Sequence, residues 1–310
     1  MTRHSSAPGV TSVARQSAKS LPALAGSDKP VILAQRRIPL ITVFLFFGTR
    51  RIRVVEAPHR EVHPTMQLTD KVVIITGAAR RLGRAIALDL AEHGCQIVAH
   101  YGRSAAEAAN LADTIRGMGR RCLLVHGDLI DATLPARIVA QAVAAFGRID
   151  ALVNNAAVFP RTPIDELTAD TFVDILKVNL IAPVLMAQAV WPHFQRAGAG
   201  RIVNITDISA ERPWPGYIAY CAAKAGLANA TRSLARAMAP VVQVNAVAPG
   251  AAEFPEGTDE AHRDRVLAHV PLGRAGSPKD IAAAVRFLIA RGDYITGETI
   301  NVDGGRTAAW

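Results

Sequence analysis

The chain has 310 residues, half of them apolar and a fifth charged, which allows one large domain with a sizeable core or two small ones. Its net charge of +9 is unevenly placed: residues 1–65 hold ten Lys/Arg against three Asp/Glu, whereas residues 66–310 hold 25 against 23. A body this close to neutral has no basic face for nucleic acid. Its three distant cysteines, Cys95, Cys122 and Cys221, have neither a disulfide framework nor metal-ligand spacing. Reduced thiols of this kind predict a cytoplasmic protein with no metal site.

Residues 1–65 are rich in Ser, Ala, Pro and Arg and lack the periodicity of the remainder. Their apolar block, Ile38 to Phe47, is ten residues long and includes Pro39. A membrane-spanning helix needs about 20 apolar residues, so no span is expected here. The block lies too far from Met1 for a signal peptide, and Gly48-Thr49-Arg50 is no small-residue cleavage site. An arginine-flanked interfacial anchor is one reading. The stronger one is an extension that is disordered, or an upstream reading of the gene that the cell does not make. The domain would then begin at Met66, five residues before the first strand.

From Lys71 onward, β-branched runs alternate with alanine-rich helical stretches. The spacing predicts strands over 71–76, 96–101, 121–126, 150–154, 201–206, 241–247 and 298–302. Helices are predicted near 80–93, 104–118, 132–146, 165–195, 217–238 and 277–290. Continuous alternation implies right-handed crossovers and leaves no room for a separate substrate domain. The expected fold is α/β: a single Rossmann-type, doubly wound parallel sheet of about seven strands with helices on both faces. Its active site would lie at the carboxyl ends of the strands. The loop from Ala251 to Val270, at the substrate mouth, has no readable specificity.

The motifs fall at those strand ends in chain order. Thr76-Gly77-Ala78-Ala79-Arg80-Arg81-Leu82-Gly83 follows Val72-Val73-Ile74-Ile75 and opens an apolar-periodic helix. Strand, glycine turn and helix start are the parts of a dinucleotide site, where backbone N–H groups and the helix dipole face a pyrophosphate. Arg81 stands where such a turn usually has its middle glycine. Asn154-Asn155-Ala156-Ala157 ends the fourth strand, and Asn179 lies on the long helix after it. Tyr220-Cys221-Ala222-Ala223-Lys224 sets Tyr and Lys on one helix face at i and i+4. A phenol titrates near 10, and a neighbouring ammonium is expected to bring it toward the working range. Val244-Asn245-Ala246-Val247-Ala248-Pro249-Gly250 ends the sixth strand in a turn.

In this combination and order, residues 69–306 resemble the short-chain dehydrogenase/reductase family. The resemblance implies catalytic roles for Tyr220, Lys224 and Asn179, with the lysine bonding the nicotinamide ribose and the asparagine supporting a proton-relay water. The cofactor surface it implies runs from Gly77, Arg80, Arg81, Leu82 and Gly83 through Tyr101, Arg103 and Ser104. It continues with Asp128 and Leu129, where the aspartate meets the adenine amino group, and with Asn155, Ala156, Pro249 and Gly250 beside Tyr220 and Lys224. Family members are commonly homotetramers, so an oligomer is expected.

Family members usually carry a serine thirteen residues before the tyrosine, where this chain has Asp207. Ser209, two positions out of register, is the alternative, with Asp207 merely capping the strand end. An ionised carboxylate only accepts hydrogen bonds, so Asp207 cannot donate to a ketone oxygen as a hydroxyl does. It suits a substrate with N–H donors and ring nitrogens that need protons. Arg81 in the glycine turn, Asp207, and His100-Tyr101-Gly102-Arg103-Ser104-Ala105-Ala106-Glu107-Ala108 are similar to the pteridine reductases of this family. That likeness makes Arg81, Phe159, Asp207 and Tyr220 the substrate contacts, with Phe159 stacking on the pterin.

No Asp or Glu occurs from Cys95 to Ala106 to hold a ribose 2′-hydroxyl. Arg103 and Ser104, with Arg80 or Arg81 opposite, fit a 2′-phosphate, so NADPH is the expected cofactor. The leading expectation is an NADPH-dependent pteridine reductase acting on dihydropterin or dihydrofolate-like substrates. A carbonyl reductase of the same fold, for example on a 3-oxoacyl thioester, is the alternative. A non-catalytic NADP(H)-binding sensor is a remote third, opposed by the intact Asn179, Tyr220 and Lys224.

Overall fold

The computed structural model describes residues 65–254 and 257–309, with two short strands, Phe46–Phe47 and Arg50–Arg51, that pair antiparallel. The chain divides into two units, Met1–Glu61 and Val62–Trp310. The expected nature of residues 1–65, disordered or misassigned, falls almost wholly outside the described residues.

Seven strands make one parallel sheet in the second unit. They are β1 (Val72–Ile75), β2 (Gln96–Tyr101), β3 (Cys122–His126), β4 (Ala151–Asn154), β5 (Gly200–Ile205), β6 (Val242–Pro249) and β7 (Thr299–Val302). Their spatial order is β3-β2-β1-β4-β5-β6-β7. The chain winds outward from β1 to β3 and then returns to the other side of β1. A crevice therefore opens between the carboxyl ends of β1 and β4, where ligands of such sheets bind.

The apolar runs are strands because both faces of the sheet are covered. Val73 and Ile75 of β1 enter one core with α1 (Arg81–Glu92), α2 (Ala105–Gly117) and the final helix, Pro278–Ala290. Val72 and Ile74 enter the other, with α3 (Leu134–Phe146) and residues of the helices Ala182–Ala197 and Ile218–Met238. The sequence-expected strands and the doubly wound fold are as described.

Three local features differ from the expected helices. The long fourth stretch begins at Ala169 rather than 165, because the Thr168 side chain accepts from Thr171 N–H and caps it there. It consists of α4 (Ala169–Leu176), a π-turn at Lys177–Ile181, and α5 (Ala182–Ala197). The whole stretch, Ala169–Ala197, is long and apolar enough to cross a membrane by length and composition. Its Met186, Val190 and Phe194 are spent instead on the core beside the sheet. After α6 (Ile218–Met238) there is also an unexpected α7 (Glu260–Leu267), followed by α8 (Pro278–Ala290).

Candidate active site

Close packing shapes the glycine turn. Gly77 has a φ of +62°, and a Cβ there would lie 2.8 Å from Ala156 Cα. At Gly83, in the first turn of α1, a Cβ would run into the Gly77 carbonyl and stand 2.6 Å from Asn155 Nδ2. Asn155 locks the contact: its Nδ2 donates to the carbonyls of Thr76 (2.9 Å) and Gly77 (3.0 Å). Thr76 Oγ1 accepts from Asn155 and Ala156 N–H, both at 3.0 Å. The switch-point crevice is thus built as a rigid joint between β1 and β4.

Helix α1 begins without a side-chain cap at Arg80 and with no acid in its first turn. Its first N–H groups stay available to an anion, so the residues present fit a dinucleotide pyrophosphate. Arg80 lies 3.7 Å from Glu107, both of them exposed. Leu82 packs on the core. Arg81 stands where the turn would have its middle glycine. Its φ is +50°, a region natural for the glycine it replaces, and its guanidinium is turned to the loop after β6. There Nε donates to Glu253 Oε2 at 2.9 Å and an amino nitrogen donates to the Glu253 carbonyl at 3.3 Å.

Other expected cofactor residues line the same sheet edge. Tyr101 ends β2 with its ring centroid 5.3 Å from that of His126. Arg103 is exposed, and Ser104 precedes α2 without capping it by its side chain. Asp128 is exposed and accepts from Ile130 N–H at 3.0 Å, while Leu129 beside it is buried. Pro249 closes β6, and Gly250 N–H donates to the Val302 carbonyl.

The acid–base group centres on Tyr220. Its hydroxyl donates to Asp207 Oδ2 at 2.9 Å. Asp207 Oδ1 accepts from Ser209 N–H at 2.7 Å and so caps the short 3₁₀ turn Ile208–Ala210. Asp207 thus caps the turn, as one of the two readings weighed for it had it, and also accepts from the tyrosine. Ser209 Oγ is buried and without a hydrogen-bond partner. Lys224, fully buried, donates from Nζ to the Ile205 carbonyl at 2.7 Å and sits 5.6 Å from the Tyr220 ring centroid.

The expected lowering of the phenol's pKa is not what this arrangement does. Burial first, and the Asp207 carboxylate second, push Tyr220 far above the ordinary tyrosine range. The near charge is negative, and the lysine is occupied by a main-chain carbonyl. Burial pushes Lys224 down to about 8, against the pull of Asp207.

Asn179 is buried inside the π-turn. Its Nδ2 donates to Val158 O and Ile175 O, each at 3.0 Å, and its Oδ1 accepts from Val158 N–H at 3.3 Å. Such one-turn widenings recur at functional sites. Here it fixes the segment carrying Phe159, which is half-exposed. The Phe159 ring stacks parallel on Tyr217, centroids 4.2 Å apart, and meets Tyr220 edge-on at 4.6 Å. Trp214 closes this group edge-on to both Phe159 and Tyr217 at 6.0 Å. Sequence reasoning singled out neither Trp214 nor Tyr217, although both lie within six residues of Tyr220.

A family profile described as enoyl-(acyl carrier protein) reductase matches residues 77–307. The chain belongs to the short-chain dehydrogenase/reductase family. It is 34% identical over 241 residues to a 3-oxoacyl-[acyl-carrier-protein] reductase of Synechocystis sp., covering 77% of this chain and 97% of that protein. It is 39% identical over 249 residues to an uncharacterised oxidoreductase of Mycobacterium tuberculosis, covering 78% and 94% respectively. A cis-4-hydroxycyclohexanecarboxylate dehydrogenase of Sinomonas cyclohexanicum is 36% identical over 244 residues, covering 77% and 97%. The chain is thus a short-chain oxidoreductase, as its motifs led one to expect.

Proposed function

We propose that this oxidoreductase is an NADPH-dependent reductase of a small carbonyl substrate, of the kind named in its 3-oxoacyl reductase relatives. The observation carrying the proposal is the protonated Tyr220 hydroxyl, bonded to Asp207 and one helical turn from the buried Lys224. Burial and Asp207 oppose loss of its proton, so donation calls on bound cofactor and substrate to offset them. Gly77, Leu82, Gly83, Asn155, Ala156, Pro249 and Gly250 would hold the dinucleotide. Arg103 and Ser104 would hold its 2′-phosphate, and Asp128 and Leu129 its adenine. When bound, the nicotinamide supplies the hydride. Tyr220 gives its proton to the substrate oxygen, Lys224 offsets the negative charge left behind, and Asn179 holds the Val158–Phe159 segment in place. The protein is proposed to act in the cytoplasm as a homotetramer.

A second reading, reduction of a dihydropterin or dihydrofolate-like ring, draws on Asp207 and on the aromatic wall. The carboxylate accepts where a family serine would donate, and Phe159, Tyr217 and Tyr220 form a surface suited to a flat ring. None of the relatives named above is described as a pteridine reductase, which is why this reading stands second. One assay separates the two: NADPH oxidation with acetoacetyl thioester, dihydrobiopterin and dihydrofolate side by side. Turnover of the thioester alone supports the first reading, and turnover of a pterin alone overturns it.

A further inference from the structure

The carboxyl end of β2 carries a histidine with no part in the chemistry above. His100 is buried, and its ring touches two segments far apart in sequence. Gly77 N–H donates to Nδ1 at 3.3 Å, and Nε2 lies 3.1 Å from the Gly127 carbonyl. A backbone N–H can only donate and a carbonyl can only accept. Both contacts are therefore met together only by a neutral ring with its proton on Nε2. The main chain reinforces the arrangement. Ala78 N–H donates to the His100 carbonyl at 2.9 Å, and Gly127 N–H donates to the Tyr101 carbonyl at 3.1 Å. Because β2 lies between β1 and β3, the ring bridges the turn after one and the loop after the other.

We infer that His100 is a positioning residue for the dinucleotide cleft, holding the Gly77 turn and the Gly127–Asp128 loop at a fixed separation while its imidazole is neutral. This rests on the cofactor reading above, which assigns those two segments to pyrophosphate and adenine.

A second proton on the ring would set N–H against N–H at Gly77. The turn is closely packed on its Cβ side, where a side chain on Gly77 would lie 2.8 Å from Ala156 Cα. Burial holds the ring below the ordinary histidine range. Of the titratable groups facing it, His126 on β3 acts with burial and Asp128 in the following loop acts against it. The ring is thus neutral near neutral pH and is charged only in acid. The support it gives is complete above the ordinary value of 6.5 and is lost as pH falls through the lower folded value.

The test is calorimetric titration of the full chain with NADP⁺ and NAD⁺ from about pH 8 downward past the usual histidine value, as far into acid as the chain stays folded, because the folded ring is held below that value. NAD⁺ is included because a 2′-phosphate itself titrates near about 6. Wild type should lose NAD⁺ affinity as pH falls. H100L should bind both nucleotides about tenfold more weakly at the alkaline end, the loss of about one buried hydrogen bond. H100Q, which keeps a donor for the Gly127 carbonyl and does not titrate, should recover part of the affinity and give a flat NAD⁺ profile. Circular dichroism shows whether each variant is folded, and the H100Q profile decides if H100L is not. Wild-type affinity in folded H100L, or an acid fall that persists in H100Q, overturns the inference and leaves the cofactor reading standing. Wild type binding neither nucleotide overturns both.

Discussion

Tyr220 gives its hydroxyl hydrogen to Asp207 at 2.9 Å, so the group proposed to donate a proton to substrate is first engaged with a carboxylate thirteen residues upstream. Any substrate atom that takes this proton has to displace Asp207 as acceptor, or share with it. Asp207→Ser tests what that costs. Asp207 raises Lys224 as well as the phenol, so without the carboxylate an alkaline limb set by Lys224, at about 8, should move to lower pH. Thioester reduction should persist or rise. Pterin reduction, if present, should fall by about 10²–10⁴-fold, the usual worth of acid–base assistance. Undiminished pterin turnover would separate Asp207 from that reaction.

Lys224 carries the next expectation. Its ammonium is buried with one main-chain acceptor, and its pKa of about 8 lies below the ordinary 10.5. A depressed lysine costs stability while the folded state must hold the charge, and the cost fades as pH rises from about 8 toward 10.5. Lys224→Met should therefore melt no lower than wild type at neutral pH, with the gap closing in alkali, while activity falls sharply. Thermal melts across pH check it. A large loss of stability at neutral pH would mean that the hydrogen bond to Ile205 outweighs the buried charge.

Cofactor preference is expected to depend on Arg103. With a guanidinium and Ser104 for a 2′-phosphate, NADPH should bind at least about tenfold tighter than NADH, or about 1.4 kcal/mol. Arg103→Ala should remove most of this difference and leave NADH binding nearly unchanged. Equal affinities in the unaltered protein would sink the assignment.

A chain beginning at Met66 should fold and reduce substrate as the full chain does. Met66 and Leu68 already pack on the core beside α1 and β2, and every site residue lies beyond them. Circular dichroism and a rate assay on the shortened protein suffice. A large loss of either would show that residues before Met66 contribute to the domain.

The strands were legible because a parallel sheet covered on both faces writes itself as unbroken apolar runs such as Val72-Val73-Ile74-Ile75. The Tyr220–Lys224 spacing was legible because a helix brings i and i+4 onto one face. Helix α7 was not, since Glu260–Leu267 buries no residue and so has no apolar stripe to read. The π-turn at Lys177–Ile181 leaves the composition of a helix unchanged, so nothing in its residues distinguishes it. The Tyr220 environment was misjudged because spacing along a helix says nothing of where the lysine's amine points. That amine is directed to the Ile205 carbonyl, and a carboxylate from another segment reaches the hydroxyl instead. The grouping of Phe159 with Trp214 and Tyr217 depends on the fold of two separate loops and leaves no local trace.

Arg81 has one guanidinium and two claimants. Its left-handed backbone costs about 1–2 kcal/mol relative to glycine, and the side chain it gains ties the head of α1 to Glu253. An anion bound at the uncapped N–H groups of α1 would stand beside the residue that bears this guanidinium and would compete with the Glu253 carboxylate for it. The segment leading from β6 toward α7 is therefore anchored to the nucleotide end of the molecule by a half-exposed ion pair, an attachment weak enough to be exchanged.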